Sequence, residues 1–167
     1  MLMLFTDGSV HSQFRIGYGA YLACEDLNED LDVLRSAIKI RRFENTSSSR
    51  LELQTILWAM SELKTGAIEI FTDSESVLGL QSRRLKLEKN DYVSSSGKLL
   101  KNHDLYREYF MLSDILSLEL IQVKGHKPSS RKNSVDSVFS LVDRAARKAL
   151  RIEMSRDGPT KFLNNRV

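Results

Sequence analysis

The stretch Ser49-Arg-Leu-Glu-Leu-Gln-Thr-Ile-Leu-Trp-Ala-Met-Ser-Glu-Leu63, followed at once by Ala67-Ile-Glu-Ile-Phe-Thr-Asp-Ser74, decides the fold. In its first part Leu53, Ile56, Leu57, Met60 and Leu63 recur at helical spacing, which predicts a helix from about Ser49 to Lys64. In its second part Ala67–Thr72 is a compact apolar run bounded by Gly66 and Asp73, which predicts a strand. Upstream, Met1–Thr6 is a short apolar run that ends in Asp-Gly-Ser and reads as a strand leaving the core into a turn. Gly17–Cys24 is a second strand, and residues 35–44 alternate through Ile38, Ile40 and Phe43 as a third. The acidic stretch Glu25–Asp32 between them reads as an exposed hairpin connection. Three strands with short links make an antiparallel meander.

Downstream, Asp73-Ser-Glu-Ser begins a second helix, and residues 82–101 are basic, serine-containing and weakly periodic. Asn102–Leu116 regains a helical pattern, Leu118–Val123 is a fifth strand, and Lys124–Asn133 is a polar loop. Ser134–Arg151 is a long last helix built on Val135, Val138, Phe139, Val142, Ala146 and Ala149. The order βββ-α-β-α-(basic insert)-α-β-α predicts an α/β fold. Its five-stranded mixed sheet has three antiparallel strands, then two βα crossovers, and is flanked by helices. One domain over residues 1–152 and a loosely ordered tail over 153–167 are expected.

With 167 residues, 41% of them hydrophobic and 28% charged, the chain has the size and balance of one globular domain. The single cysteine, Cys24, excludes an internal disulfide framework and a cysteine-rich zinc site. The opening Met1–Phe5 reaches Asp7 too soon for a signal peptide or a membrane span, so a cytoplasmic location without membrane attachment is expected. A monomer is expected, and no protein partner is legible. The formal net charge is +3, but residues 82–101 alone carry +4, through Arg83, Arg84, Lys86, Lys89, Lys98 and Lys101 against Glu88 and Asp91. A run of this kind is usually a solvated face; on a chain of this sign it also suits a phosphate backbone.

Four carboxylates occupy telling places. Asp7 ends the first strand in Phe5-Thr-Asp-Gly-Ser9, and Asp73 ends the fourth in the near-copy Phe71-Thr-Asp-Ser74. Two acids leaving adjacent strand ends converge at one sheet edge, where ligand sites form in α/β folds. Taken singly, each has a structural reading: Asp73 can cap the helix that follows, and Ser49-Arg-Leu-Glu52 is a capping-box pattern. Asp143 lies inside the last helix among Val142 and Ala146, where a carboxylate needs a partner. Together, Asp7, Glu52, Asp73 and Asp143 are a set of oxygen ligands suited to Mg²⁺ or Mn²⁺. Two such ions would serve phosphodiester hydrolysis.

The chain resembles the type 1 ribonuclease H family from about residue 2 to residue 152. The motifs that carry the likeness are Phe5-Thr-Asp-Gly-Ser9, Gly17-Tyr-Gly-Ala20, Ser49-Arg-Leu-Glu-Leu53 and Phe71-Thr-Asp-Ser74. Lys101-Asn-His-Asp-Leu105, Val123-Lys-Gly-His126 and the run from Val142 to Ala149 complete them. The resemblance implies a ribonuclease H-like fold and a sequence-tolerant endonuclease that cuts the RNA strand of RNA–DNA hybrids with two metal ions. It implies that Asp7 bridges both ions, that Glu52 and Asp73 hold one, and that Asp143 helps hold the other. His126 would assist proton transfer or product release. Gly8, Ser9 and Ser47, Ser48 and Ser49 would meet the nucleic acid, and the basic insert would be a substrate-binding protrusion.

Three positions depart from the family pattern. The segment from His126 to Asp143 is long, so Asp136, at the more usual spacing, competes for the last metal position; Asp-Arg-Ala-Ala-Arg-Lys-Ala favours Asp143. Asp136 is expected to be an exposed acid near the helix start. Ser48 and Ser49 stand where many relatives have paired asparagines that contact 2′-hydroxyls. Val10–Arg15 replaces a turn rich in glycine and proline. Two other functions remain open on sequence: a non-catalytic module that binds hybrid or double-stranded nucleic acid, and a related nuclease acting on DNA or double-stranded RNA.

Overall fold

A computed structural model describes residues 1–63, 66–124 and 133–163. Five strands, β1 (Leu2–His11), β2 (Ile16–Cys24), β3 (Lys39–Phe43), β4 (Ala67–Thr72) and β5 (Ser117–Gln122), form one mixed sheet in the order β3-β2-β1-β4-β5. β1 runs antiparallel to β2 and parallel to β4; β2–β3 is antiparallel and β4–β5 parallel. This is the predicted meander followed by two crossovers.

The helices are α1 (Leu31–Ser36), α2 (Ser48–Leu63), α3 (Glu75–Leu78), α4 (Leu80–Lys89), α5 (His103–Ile115) and α6 (Ser134–Leu163). Side-chain alternation divides the core. Phe5 and Phe71, stacked with centroids 4.5 Å apart, face α6 with Leu22, Val138 and Val142. Leu4, Ile68 and Ile70 face α2 with Ile56 and Met60. A third cluster, of Leu53, Leu57, Leu80, Tyr109 and Phe110, joins α2 to α4 and α5.

Four expectations change. Asp7 is not at a strand end: β1 continues through Asp-Gly-Ser to His11, because antiparallel pairing with β2 persists from Asp7↔Ala20 to His11↔Ile16. Its parallel pairing with β4 stops at Phe5↔Phe71, so β1 and β4 diverge where Asp7 sits. The end of the acidic connection and the first residues of the 35–44 run form α1, capped by the Asp30 side chain and anchored by buried Leu34, so the third strand starts only at Lys39. The basic insert begins as the helix α4. The segment after Glu153, expected to be loosely ordered, is helical as far as Leu163. No helix among the described residues is long and apolar enough to cross a membrane.

Candidate metal-binding and nucleic-acid site

Strand parity places the first two acids. Asp7 follows Phe5 by two residues, and Asp73 follows Phe71 by two, so both share the parity of the α6 face beyond the β1–β4 pairing. Asp143 reaches Asp7 from α6, and their carboxyls share a hydrogen bond. Glu52 arrives from the other face because α2 lies close on the sheet. A Cβ on Gly8 would come 2.7 Å from Leu51 Cδ2, and one on Gly19 would come 2.1 Å from Thr55 Oγ1. Glycine is therefore required at both positions for α2 to sit where it does.

Asp7 and Glu52 are each only 8% exposed. The Gly8 N–H donates to Asp7 Oδ1 at 2.8 Å and also favours the Glu52 carboxylate. That one donor does not offset the burial. Asp7 is pushed up to about 8, by burial first, then by its hydrogen bond to Asp143 and the charge of Asp73. Glu52 is raised well above the carboxylate range by burial and by the charges of Asp7 and Asp73. Glu52 Oε2 is buried with no hydrogen-bond partner. An unpaired buried carboxylate oxygen beside three further acids is costly in isolation and is the donor chemistry of a hard divalent cation. The residues present fit such an ion. Among the described residues no three His, Cys, Asp or Glu are already closed around one point suited to a metal. Asp143 Oδ1 is instead turned to Arg147 Nε at 2.5 Å.

The structural readings of these acids are not realised. Ser47, not Ser49, serves the start of α2: its hydroxyl accepts from the Arg50 N–H and its carbonyl from the Leu51 N–H. Glu52 is therefore not in a capping box. The N-cap of α3 is Ser74, and Asp73 stands one residue outside it, exposed. Asp136, expected to be exposed, is 5% exposed. It forms the reciprocal pair at the start of α6, with its Oδ2 accepting from the Asn133 N–H and its own N–H donating to Asn133 Oδ1. His126 lies outside the described residues.

Beside the acids, a groove of about 870 Å³ is lined by Val10, Arg15, Thr46, Ser47, Ser48, Lys101 and neighbouring polar residues. Gly8 and Ser9 precede its Val10 on β1, Ser48 lines its α2 side, and Ser49 is exposed next in the chain. Asn102 Nδ2 donates weakly to Ser49 Oγ at 3.4 Å, and Arg50 grips Asp104 through both terminal nitrogens. The sequence reading missed Arg50 and Asp104, which tie the α2 start to the α5 start. Arg83, Lys86, Lys89, Lys98 and Lys101 are exposed. Arg84 is held by Asp114 and Glu88 and lies 5.0 Å over the Phe110 ring, so its charge is engaged within the protein. Arg83 also folds back, onto the carbonyls of Gly79 and Ser76.

The sequence pattern described as RNase H matches residues 1–151. A ribonuclease H of Treponema denticola is 27% identical over 150 residues, covering 80% of this chain and 91% of the relative. One from Clostridium botulinum is 26% identical over 141 residues, covering 82% of this chain and 91% of the relative. Among solved structures, foamy viral protease-reverse transcriptase in complex with dsDNA aligns with a TM-score of 0.59 at 14% identity, covering 88% of this chain and 94% of that one. That last likeness is one of fold.

Proposed function

From the premise that the chain belongs to the RNase H family, we propose that it is a divalent-metal-dependent endonuclease that hydrolyses the RNA strand of RNA–DNA hybrids. One observation carries the reading: Glu52 Oε2 is buried and unpartnered beside an Asp7 that burial and neighbouring acids hold far above its ordinary range. A module that only bound nucleic acid would gain nothing from such a cluster, because unneutralised acids repel a phosphate backbone.

Asp7, Glu52, Asp73 and Asp143 would hold two Mg²⁺ or Mn²⁺ ions. When bound, such ions supply the charge that activates water and offsets the negative charge gathering on the leaving oxygen. Asp7, between the acids of β4 and α6, would serve both. Leu51 and Gly8 keep the start of α2 close on β1, which brings the Glu52 carboxylate to the strand that carries Asp7. Ser47 and Ser48 line the side of the groove where 2′-hydroxyls of the RNA strand would lie, with exposed Ser49 next to them, and a serine hydroxyl can donate to or accept from each. The exposed Lys86, Lys89, Lys98 and Lys101 would track phosphates without reading sequence. Asp136, engaged in capping α6, has no part in this scheme. His126 would assist proton transfer or product release.

Matched labelled RNA–DNA, RNA–RNA and DNA–DNA duplexes, incubated with and without Mg²⁺, test the reading. Cleavage of the RNA strand of the hybrid alone, lost in chelator, is the expected result. Equal cutting of the homoduplexes would replace it with a broader nuclease, and binding without cleavage would leave a non-catalytic module.

A further inference from the structure

Arg147 lies one helical turn beyond Asp143, with its Nε 2.5 Å from Asp143 Oδ1. An i,i+4 pair on a helix is ordinarily a solvated surface contact worth little. This one differs because its acid is 22% exposed and hydrogen-bonds Asp7 across the gap between α6 and the sheet. The guanidinium is therefore a cation in direct contact with the four-carboxylate cluster. It engages one of the two Asp143 carboxylate oxygens, and among the described residues no three of the acids are closed around a common point.

We propose that Arg147 is a positioning residue that holds Asp143 in the metal-free site and weakens the cluster's affinity for divalent cations. The inference rests on the metal-centre reading above. Two effects follow from one contact. Without metal, the guanidinium offsets repulsion among the acids. When metal enters, the same positive charge opposes it and must yield the Asp143 oxygen. The Arg147 side chain is 48% exposed, so displacing it from Asp143 uncovers little buried surface.

The test is calorimetric titration of Mn²⁺ into the full chain without nucleic acid, alongside metal-free thermal melting. Arg147→Gln should bind Mn²⁺ roughly three- to tenfold more tightly than the parent, as expected for removing one charge near a divalent ion. Its metal-free melting temperature should fall. Arg147→Lys should return both readings toward the parent, since it restores the charge. In an Asp143→Asn background the affinity gain from Arg147→Gln should shrink, because the part of the effect that passes through that carboxylate is lost. Unchanged or weaker Mn²⁺ binding by Arg147→Gln overturns the proposal, as does a gain that is undiminished without Asp143. If the parent takes up no Mn²⁺, or Asp7→Asn binds it equally well, the metal-centre reading itself fails and this inference falls with it.

Discussion

Glu52, buried, and Glu153, largely covered, are glutamates on helices that pack against the sheet, and their surroundings are opposite. The Glu153 side chain, 10% exposed, accepts the Tyr18 hydroxyl at 2.5 Å and Arg42 Nε at 2.9 Å. It ties α6 to β2 and β3, and with burial it pushes the Tyr18 phenol up to about 12. Glu52, at 8% exposure, has an oxygen with no partner and two further acids raising it. Burial costs both carboxylates; the fold partners both oxygens of Glu153 and leaves Glu52 Oε2 without one. A buried acid that its own protein satisfies is architecture, and one that it leaves unsatisfied is reserved for something the protein binds.

The largest expected effects break this contrast at its two poles. Asp7→Asn and Glu52→Gln should each reduce metal-dependent cleavage by roughly a thousandfold or more, since each removes ligand charge with almost no change of volume. The same substitutions should raise the metal-free melting temperature at neutral pH, because they relieve an uncompensated burial. Glu153→Gln should do the reverse. It should lower stability by about 1–2 kcal/mol through the loss of charge-assisted bonds to Tyr18 and Arg42, and leave the cleavage rate near that of the parent. Paired melting and single-turnover measurements decide it. Stabilisation by Glu153→Gln, or destabilisation by Glu52→Gln, would erase the distinction.

The pH dependence of the metal-free protein sharpens it. Asp7 moves from an ordinary 3.8 to about 8 on folding, so the folded state holds a proton that the unfolded state releases. Stability should therefore fall as pH rises through that window and reach its low plateau above it. Asp104, held down at about 2 by the Arg50 guanidinium, acts with the opposite sign. Its contribution is present above its ordinary value and is lost as pH falls toward 2. Melting temperatures between pH 5 and 9 should slope downward in the parent and less steeply in Asp7→Asn, where buried Glu52 still acts in the same direction. Saturating Mg²⁺ should remove most of the slope, whereas a parent profile already flat would place Asp7 in the ordinary carboxylate range.

How much of this was legible depended on whether local signals and tertiary pairing agreed. They agreed for α2 and β4, where a 3.6-residue period gives way to Ala67–Thr72, and for the repeated Phe-Thr-Asp that gives Asp7 and Asp73 the same parity beyond the Phe5–Phe71 pair. They disagreed at Asp7-Gly-Ser9, a turn signal overridden by β2 pairing, and at α1, where Leu34 is the one buried anchor in an acidic background. Helix α4 was obscured by its long polar face. The capping role of Ser47 was hidden because Ser49 offers the same chemistry two residues later. Sequence could propose Glu52 as a ligand, but that its Oε2 is unpartnered is a fact of packing.

Asp136 and Asp143 repeat the comparison within one helix. The Asp136 carboxyl and Asn133 exchange hydrogen bonds that close the first turn of α6. Asp143 instead reaches into the acid cluster. Asp143→Asn should severely impair cleavage across a Mg²⁺ titration while keeping the helical circular dichroism signal. Asp136→Asn should retain most of the activity and lose about 1 kcal/mol of stability, the usual scale of a cap. An inactive Asp136→Asn protein with normal stability would move the metal site to the start of α6.

The smallest effect concerns cations, where the same reasoning applies with the sign reversed. Arg84 is satisfied by Asp114, by Glu88 and by the face of Phe110, which together pin α4 to α5. Lys86 is exposed on the wall of a basic notch formed with Arg83, Asn90 and Ser94. A cation already held by the fold has few counterions to release when a phosphate approaches, whereas an exposed lysine does. Lys86→Ala should therefore reduce the slope of log affinity against log salt for a hybrid duplex by about 0.9, the value for one phosphate contact on a duplex. Its melting temperature should not change. Arg84→Ala should leave that slope within error and lower the melting temperature by a few degrees, through the lost bridge between the two helices. Binding is best measured in Ca²⁺ or with Asp7→Asn, so that cleavage does not intrude. If Arg84→Ala lowers the slope as much as Lys86→Ala does, its guanidinium exchanges Asp114 for phosphate, and satisfaction by the fold does not separate architecture from function on this face.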